Sequence, residues 1–489
     1  MVKTMTFDSR SYKIYLTRNA DIIFGGTQMK SFKMAYTISA MIVLILSIAV
    51  VIILELPIYL GILSTLIYMV LLSMFRGYDF GIIMGMILRK MRAVDYVAGM
   101  MLMIGGLVAI WMQIGTIPSL IYFGFTYLTD FNLVLTAFVI CMIMSLMIGS
   151  AIGTLSTIGV VFLAIGQGIG IPSGLMVGAI ASGAYVGDRI SPLASGGNLA
   201  TAASGSTLTE VLKKMMKSNI LPILTVGIMY FIIGNKYTLD SESAKTLEVV
   251  TSAIAKTFEL NLIVVLPLIA LLVSILVFRL GIIKSLGVAT LLSAGIALFG
   301  QGHETIGLLS NYISGYSTQV PELASLIRGG GINSMWTVVL AILFSAGING
   351  ILEGTNMINP LLDRWIGVSK SPGKLVRKTI YTCVVVTVLT CNQSLTALLT
   401  GSYFADKFEA WGFERSDLAR VILDTGIVIV ALIPWNVNAI FFKSITGVST
   451  VEYAPYAYYL WLVPFVTIIS TLFMKDNVES LIKQQIKST

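Results

Sequence analysis

The sequence predicts an all-α polytopic membrane protein with inverted-topology repeats, re-entrant helical hairpins and broken transmembrane helices. Three observations support this fold class. The 489 residues are 56% hydrophobic and 11% charged, and their mean hydropathy of +0.90 lies far from that of a soluble domain. Long apolar runs alternate with short polar connections, and the polar interruptions of the first half recur in the second.

Composition and charge exclude several functional classes. The net charge of +8 comes from basic residues in short clusters between apolar runs, which is typical of orientation in a bilayer and contact with anionic lipid, not of nucleic-acid binding. The three cysteines form no CxxC pair, so neither a disulfide framework nor a zinc site is expected. No phosphate-binding loop, HExxH or haem motif is present. The sequence therefore favours neither an ATP-driven pump nor an enzyme, and no cofactor is expected.

The first 33 residues form a basic segment before the first long apolar run. They hold six Lys or Arg side chains against two Asp, an excess that cytoplasmic segments carry. We therefore predict a multi-pass protein of the cell membrane with a cytoplasmic N-terminal segment at 1–33 and no cleavable signal peptide.

The first membrane repeat is predicted at 34–218. Apolar runs at about 35–54, 57–75 and 96–114 are each long enough to cross a hydrocarbon core of about 30 Å. The loop at 76–95 contains four basic residues and should also be cytoplasmic.

A polar stretch at 185–198 interrupts the apolar chain of this repeat. It contains Asp188 and Arg189, and Pro192 with two following glycines disfavours a continuous helix. The apolar runs on either side are too short to cross the membrane alone. Together they predict one broken crossing inside the bundle, where its freed backbone groups can be satisfied. A short surface loop between two helices is the alternative.

The second half repeats this pattern after a connecting span and loop at 219–260. A second repeat is predicted at 261–450, and a final span and C-terminal tail at 451–489. Three polar breaks recur at nearly the same separation along the chain, which indicates a duplication. They pair Gly115 with Gly354, Thr154 with Asn392 and Asp188 with Asp424.

Loop charge predicts that the two repeats have opposite orientations. The loop 76–95 has four basic residues and its counterpart 315–334 has one, whereas 363–378 has five and its counterpart 124–139 has none. Because basic loops stay in the cytoplasm, the duplication should be inverted, an architecture typical of secondary transporters.

Each repeat should also contain a hairpin that enters the membrane and returns to the same side. In the first repeat, apolar arms at 132–149 and 155–171 flank a tip predicted near residues 153–154. In the second, the tip is predicted near 391–394 and the broken crossing at about 421–443. Loop charge fixes only the parity of the crossings, so three full crossings remain the alternative.

Three acids are predicted to lie at membrane depth: Asp188, Glu353 and Asp424. Ionisable groups at that depth are costly and usually functional. We interpret Asp188 as a cation ligand or protonation site, with an ion pair to the adjacent Arg189 as the structural alternative. Asp424 has no basic neighbour in the sequence and is the stronger candidate for titration, with a helix cap as its alternative. Arg189 and Glu353 are candidates for coupling or gating, although Glu353 fits the cytoplasmic mouth equally well.

Neutral oxygen donors lie close to these acids in the sequence and suit a hard alkali cation. Capping of broken helices explains any single Asn, Ser or Thr among them equally well. Asp188, Asn198, Asp424 and Asn436 are the predicted Na⁺ ligands. The other candidates for cation or substrate binding are Thr154, Ser191, Ser195, Asn392, Gln393 and Thr425.

Several motifs resemble the NhaC family of Na⁺/H⁺ antiporters, which also includes malate/lactate exchangers. The resemblance covers about residues 60–470 and implies an inverted-repeat transporter with two hairpins and two broken helices, in which Na⁺ is coupled to movement of H⁺ or an organic acid. The motifs are Gly187-Asp-Arg-Ile-Ser-Pro-Leu-Ala-Ser-Gly-Gly-Asn-Leu199, Ser182-Gly-Ala-Tyr185, Ile351-Leu-Glu-Gly-Thr355, Asp424-Thr-Gly, Leu432-Ile-Pro-Trp-Asn436 and Gly447-Val-Ser-Thr-Val-Glu-Tyr453.

The chain departs from the family pattern at three of its acids. Ser195, Asn392 and Leu423 stand where that pattern has Asp, Asp and Glu. Na⁺/H⁺ antiport through Asp188 and Asp424 is the first hypothesis, with Na⁺ and H⁺ as coupling ions. Because carboxylates are lost, Na⁺- or H⁺-coupled transport of a small organic substrate, an amino acid or a carboxylate, is the alternative. A cation channel or a membrane scaffold is the third hypothesis.

The expected partners follow from these hypotheses. They are the lipid bilayer and a small cation or small organic substrate, whereas nucleic acid is not expected. A homodimer is compatible with the sequence.

Overall fold

The protein is almost entirely helical in the computed structural model, which describes residues 32, 34–128, 132–192, 194–237, 241–278, 280–324, 327–358, 360, 371–390 and 393–472. The helices of the first half are α1 (Met34–Ile53), α2 (Ile58–Phe75), α3 (Phe80–Arg92), α4 (Asp95–Gln113), α5 (Thr116–Leu128), α6 (Leu133–Ile148), α7 (Ala151–Gly168), α8 (Ser173–Ile190), α9 (Ser195–Ser204) and α10 (Leu208–Gly234).

The second half contains a comparable series of helices and one small sheet. The strands β1 (Tyr316–Ser317) and β2 (Arg328–Gly329) pair antiparallel. The helices are α11 (Ser241–Thr257), α12 (Leu262–Leu276), α13 (Ile283–Gly300), α14 (Thr305–Ser314), α15 (Ile332–Gly354), α16 (Pro372–Thr390), α17 (Gln393–Ala410), α18 (Arg415–Leu432), α19 (Val437–Thr446), α20 (Thr450–Tyr453) and α21 (Tyr458–Ser470).

Helix length and composition confirm a polytopic membrane protein. Within the described residues, seven helices are long and apolar enough to cross a bilayer, or up to nine if each bent pair counts as one crossing. α1 and α2 expose large apolar side chains, among them Ile53 and Phe75, whose exposed fractions are 77% and 81%. Such side chains fit an environment of lipid.

The connecting span and loop predicted at 219–260 differ from the structure in two places. The span expected to begin at residue 219 begins at Leu208, since Thr207 and Glu210 form a capping box at its N-terminus. Lys213, Lys214 and Lys217 therefore lie on α10. The loop predicted after this span contains a helix, α11.

The first hairpin is present, but its turn lies at Gly149 and Ser150 and not at residues 153–154. Gly149 ends α6 in the left-handed conformation, with φ of 74°. Ser150 begins α7, and its Oγ accepts a hydrogen bond from the Gly153 nitrogen at 3.1 Å. Thr154 lies within the helix and donates to the Ser150 carbonyl at 2.9 Å. The turn therefore forms where a glycine and an N-cap residue meet.

The hairpin stops at the depth of the α8 break. α6 and α8 run parallel, and Gly187 lies against the backbone of Ser145 and Leu146. Directly after α8, the Ser191 hydroxyl donates to the Leu146 carbonyl at 2.8 Å. The chain then continues through the ten residues of α9, whereas α7 turns back along α8. This geometry supports a re-entrant hairpin with one broken crossing over three full crossings.

Gly187 permits this close approach, and its replacement is the first testable prediction. A Cβ there would overlap the main chain of α6, so Gly187→Ala should separate the two helices. Overpacking of this kind costs about 1–3 kcal/mol, and thermal unfolding in detergent should show a lower Tm. Gly99→Ala on α4 is the matched control, because nothing lies within 4 Å of a Cβ at that position. An unchanged Tm for Gly187→Ala would contradict the packing described here.

Each turn or cap of the first half has a counterpart in the second half, always the same number of residues further along the chain. This repeat spacing is the one that separates Gly170 from Gly412. Turns and caps recur at this distance, and each pair shares one conformation. The pairs are Gly170 and Gly412, both with positive φ; Gly205 and Gly447, both left-handed C-caps; the capping boxes Thr207–Glu210 and Ser449–Glu452; and Pro192 and Pro434 in the two breaks.

This spacing confirms the duplication but corrects its predicted residue pairs. The counterpart of Asp188 is Val430, whereas Asp424 corresponds to Ser182. Pairing by polarity fails because the polar residues differ between the two halves. Caps and turns are better landmarks, because backbone geometry requires the same residue types in both copies.

Candidate functional site

The membrane-embedded core of the described residues contains three buried charged side chains. Asp188, Arg189 and Asp424 are 6%, 1% and 1% exposed. Asp424 lies nine residues after the start of α18, which at 1.5 Å per residue is about 14 Å into the bundle. Asp188 and Arg189 lie in the last turn of α8, at the level of the break. All three therefore lie at mid-depth, as expected for residues that act on a transported ion.

Asp188 faces the turn of the first hairpin. Its Oδ1 accepts a hydrogen bond from the Ala151 nitrogen at 3.4 Å, at the N-terminus of α7. A helix N-terminus carries a partial positive charge that stabilises a carboxylate. Within the described part of the chain, Asp188 takes part in no ion pair, so its negative charge is not balanced by a basic side chain.

Arg189 forms its ion pair with Asp424, and the alternative pair between adjacent Asp188 and Arg189 is wrong. Successive helical residues point in directions about 100° apart, so these two side chains diverge. Arg189 Nη2 donates to Asp424 Oδ1. The pair joins the two broken helices, and Asp424 therefore has a basic partner in space although it has none in the sequence.

Three residues that the sequence did not indicate complete the surroundings of this pair. Arg189 Nη1 donates to the Asn219 Oδ1 at 2.6 Å and to the Tyr459 hydroxyl at 2.7 Å. The Thr467 hydroxyl donates to Asp424 Oδ2 at 2.9 Å. Tyr459 is fully buried. Asn219, an amide within a long apolar helix, is the one signal that could have indicated the site.

A local change of helix type positions Asp424. Residues Leu423–Ile427 form a π-helical turn followed by the 3₁₀ turn Val428–Leu432. Wider turns of this kind displace backbone carbonyls from the regular ladder and are frequent at functional sites. The Thr387 hydroxyl donates to the Gly426 carbonyl at 3.2 Å, and Thr425 donates to Val421 O at 2.6 Å. The Thr425 proton thus points along its own helix and not towards the carboxylate.

The structure does not gather all predicted donors around Asp188. Ser191 in the break and Thr154 in the hairpin are both buried. Ser195 and Asn198 are exposed on α9, and the Asn198 amide donates to Pro192 O and Ala194 O at 3.2 and 2.9 Å. These bonds engage carbonyls of the break and do not cap α9, whose N-terminus has no side-chain cap.

The second break forms a neutral counterpart of the first. Asn436 is fully buried, and its Oδ1 caps α19 by accepting from the Asn438 nitrogen at 3.1 Å. Among the described residues, its Nδ2 has no hydrogen-bond partner, and neither has Oε1 of Gln393 at the start of α17. Trp435 Nε1 donates to Val388 O at 2.9 Å and holds this break against the end of α16. The remaining candidate, Asn392, lies outside the described residues.

Glu353 lies outside this cluster. It forms an ion pair with Lys90 at 2.5 Å, and the two side chains are 36% and 34% exposed. The prediction of membrane depth is therefore wrong for Glu353, and its alternative location at the mouth of the protein agrees with the structure.

The location of Glu353 leads to the second testable prediction. Half-exposed ion pairs contribute about 0–1 kcal/mol, so Glu353→Gln should leave the ion-exchange rate of reconstituted protein within about twofold of wild type. The rate of pH change inside proteoliposomes on addition of Na⁺ is the measurement. A loss of more than tenfold would instead place Glu353 in the coupling mechanism.

Comparison with known proteins agrees with this architecture. The family model for the Na⁺/H⁺ antiporter family matches residues 197–475. The chain is 27% identical over 433 residues to the malate-2H⁺/Na⁺-lactate antiporter of Bacillus subtilis strain 168, covering 88% of this chain and 91% of that protein. It is 29% identical over 371 residues to the Na⁺/H⁺ antiporter NhaC of Alkalihalophilus pseudofirmus, with coverage of 75% and 79%.

A further relative carries a different kind of name. Identity reaches 30% over 390 residues with the arginine/ornithine antiporter ArcD of Halobacterium salinarum, covering 76% of this chain and 79% of that protein. The relatives share antiport and differ in the solutes that their names give. With its broken helices and buried ion pair, the chain belongs to the Na⁺/H⁺ antiporter family as a divergent member of the NhaC group, and it is a secondary active antiporter.

Proposed function

We propose that the protein exchanges Na⁺ for H⁺ and that both ions bind at Asp188. The observation that supports this assignment is the charge environment of the two buried acids. Asp424 is neutralised by Arg189, whereas Asp188 has no ion-pair partner among the described residues. A buried carboxylate without a counter-ion is unstable and is stabilised by binding either a proton or a metal cation. Competition between the two ions for one carboxylate is sufficient for antiport.

A neutral oxygen of the hairpin is available to a cation at Asp188. The hydroxyl of Thr154, in the first turn of α7, donates its proton to the Ser150 carbonyl at 2.9 Å, which leaves the hydroxyl oxygen as an acceptor. Hard cations prefer such oxygen ligands. Within the described residues no group of three or more His, Cys, Asp or Glu side chains is assembled, so one carboxylate with neutral oxygens is the donor set that this region offers.

The same charges disfavour an anionic substrate. Arg189 is the buried cation of the described core, and it is engaged by Asp424, Asn219 and Tyr459. A carboxylate would therefore find no available positive side chain there, and it would be repelled by Asp188.

A small organic cation, such as an amine or an amino acid bound through its ammonium group, is the second candidate substrate. The charge of Asp188 supports it, because a buried carboxylate without an ion-pair partner among the described residues can bind an ammonium group as well as a metal cation. The arginine/ornithine exchange named for one relative is consistent with this candidate.

We further propose that the protein resides in the cell membrane with its N-terminus in the cytoplasm. Ion pairs between helix ends of the two halves support this orientation. Lys90 pairs with Glu353, shortly before the basic stretch 363–378, and Lys214 contacts Glu414 and Asp417 at 2.9 and 2.6 Å. The basic clusters of both repeats can thus face the same compartment, as the inverted duplication requires.

Reconstitution tests the proposed exchange. Purified protein is placed in liposomes with a pH dye inside, and an outward or inward Na⁺ gradient is imposed. We expect H⁺ to move opposite to Na⁺, with no effect of lactate, malate or arginine on the initial rate. Saturable uptake of one organic solute without Na⁺/H⁺ exchange would favour the second candidate and contradict the first.

A further inference from the structure

The charge of the buried core can be counted residue by residue. The described core contains Asp188, Arg189 and Asp424 as its buried charged side chains. A guanidinium group stays protonated under all conditions relevant to a protein, and in this core it forms an ion pair with the Asp424 carboxylate. Two negative charges and one positive charge leave a net charge of −1.

The contacts of Arg189 hold its charge away from Asp188. The guanidinium group is directed towards Asp424, Asn219 and Tyr459, and it is 1% exposed. Arg189 follows Asp188 directly in the chain and is the buried basic side chain among the described residues, so it is the positive charge in the core that could neutralise Asp188. By binding the guanidinium group of Arg189, Asp424 therefore keeps this positive charge away from Asp188, the proposed binding carboxylate.

The duplication shows that this charge set occurs only once. At the repeat spacing defined above, the positions equivalent to Asp188 and Arg189 are Val430 and Ala431, and Asp424 corresponds to Ser182. The second break accordingly offers neutral groups, including Asn436. The centre therefore has one uncompensated carboxylate and not two.

We propose that Arg189 is a specificity-determining residue, whose positive charge Asp424 keeps away from the Na⁺ site at Asp188. The inference rests on the proposed Na⁺/H⁺ exchange. With Asp424 in place, the net charge of −1 accepts a single monovalent cation, and the loaded carrier is electrically neutral. Without Asp424, Arg189 becomes an internal competitor of Na⁺ at Asp188.

Two variants separate this role from simple structural support. Asp424→Asn releases Arg189, and we expect the KM for Na⁺ in proteoliposomes to rise at least tenfold. Arg189→Gln combined with Asp424→Asn loses the same ion pair but restores the net charge of −1. In that double variant the KM should return to within about threefold of wild type. Equal weakening of Na⁺ binding in both variants would show a structural role only and would overturn the proposal.

The wild-type protein supplies an independent test if Asp424→Asn does not fold. A K⁺ gradient with valinomycin imposes a membrane potential of either sign on the proteoliposomes. A neutral loaded carrier predicts the same initial exchange rate at both signs, and a rate that depends on the sign would overturn the charge count. Absence of exchange at every potential would overturn the proposed function and this inference together, whereas voltage-dependent exchange would leave the proposed function intact.

Discussion

Replacement of Asp188 with Asn is expected to reduce Na⁺/H⁺ exchange below about 1% of the wild-type rate, a loss of at least about 2.7 kcal/mol. The amide has the shape of the carboxylate, and its oxygen can still accept the hydrogen bond from the Ala151 nitrogen. The substitution therefore removes the charge and leaves the local packing in place. Initial rates of dye-reported H⁺ movement in proteoliposomes, compared at equal protein content, are the measurement.

Glu353→Gln is the matched control for this substitution. It also converts an acid into its amide, but at a half-exposed ion pair away from the buried core. Near-normal exchange is expected for the control and near-complete loss for Asp188→Asn. Substantial exchange by Asp188→Asn would place the ion at another group.

Removal of one partner of the buried ion pair is expected to have the largest effect on stability. Asp424→Asn removes the carboxylate that the buried guanidinium of Arg189 contacts, and breaking a buried ion pair in this way costs about 3–5 kcal/mol. The Tm in detergent, followed by intrinsic fluorescence, should fall clearly. Replacement of both partners by apolar residues, Arg189→Met with Asp424→Leu, should restore most of the loss, because no guanidinium is left behind without its partner.

The outcome of that pair of variants also distinguishes two roles for Asp424. If Asp424 were the main cation site, as its sequence surroundings favoured, Asp424→Asn would affect exchange and leave the Tm nearly unchanged. A Tm within about 1 °C of wild type would thus contradict the ion pair as described.

Hydropathy and chain breakers were sufficient to predict the architecture. The long apolar runs predicted α1, α2 and α4 within a few residues, since each must cross the bilayer as a helix. Pro192 and the glycines after it predicted the first break, and Pro434 stands in the second. Loop charge fixed only the parity of the crossings, which is compatible with a hairpin in each repeat. The turn at Gly149 could not be distinguished in advance from other small residues nearby, and the predicted second tip includes residues 391 and 392, which lie outside the described residues.

The site was only partly predictable, because its key contact is made between distant segments. Asp188 and Asp424 were identified by their cost in a membrane. The direction of the Arg189 side chain depends on how α8 packs against α10 and α21, and neither Asn219 nor Tyr459 is near it in the sequence. The residue pairing between the two halves could have been predicted from the sequence. The pattern Thr207-x-x-Glu210 recurs as Ser449-x-x-Glu452, at the same spacing as the paired glycines.

Direct Na⁺ binding to the purified protein tests the central claim that one uncompensated carboxylate serves both ions. Isothermal titration at several pH values should give one Na⁺ per chain. The Na⁺ affinity should fall by up to about tenfold for each unit by which the pH is lowered, once protons compete with Na⁺ for Asp188. The Asp188→Asn protein should bind none. Two Na⁺ per chain, an affinity independent of pH, or undiminished binding to Asp188→Asn would contradict the claim.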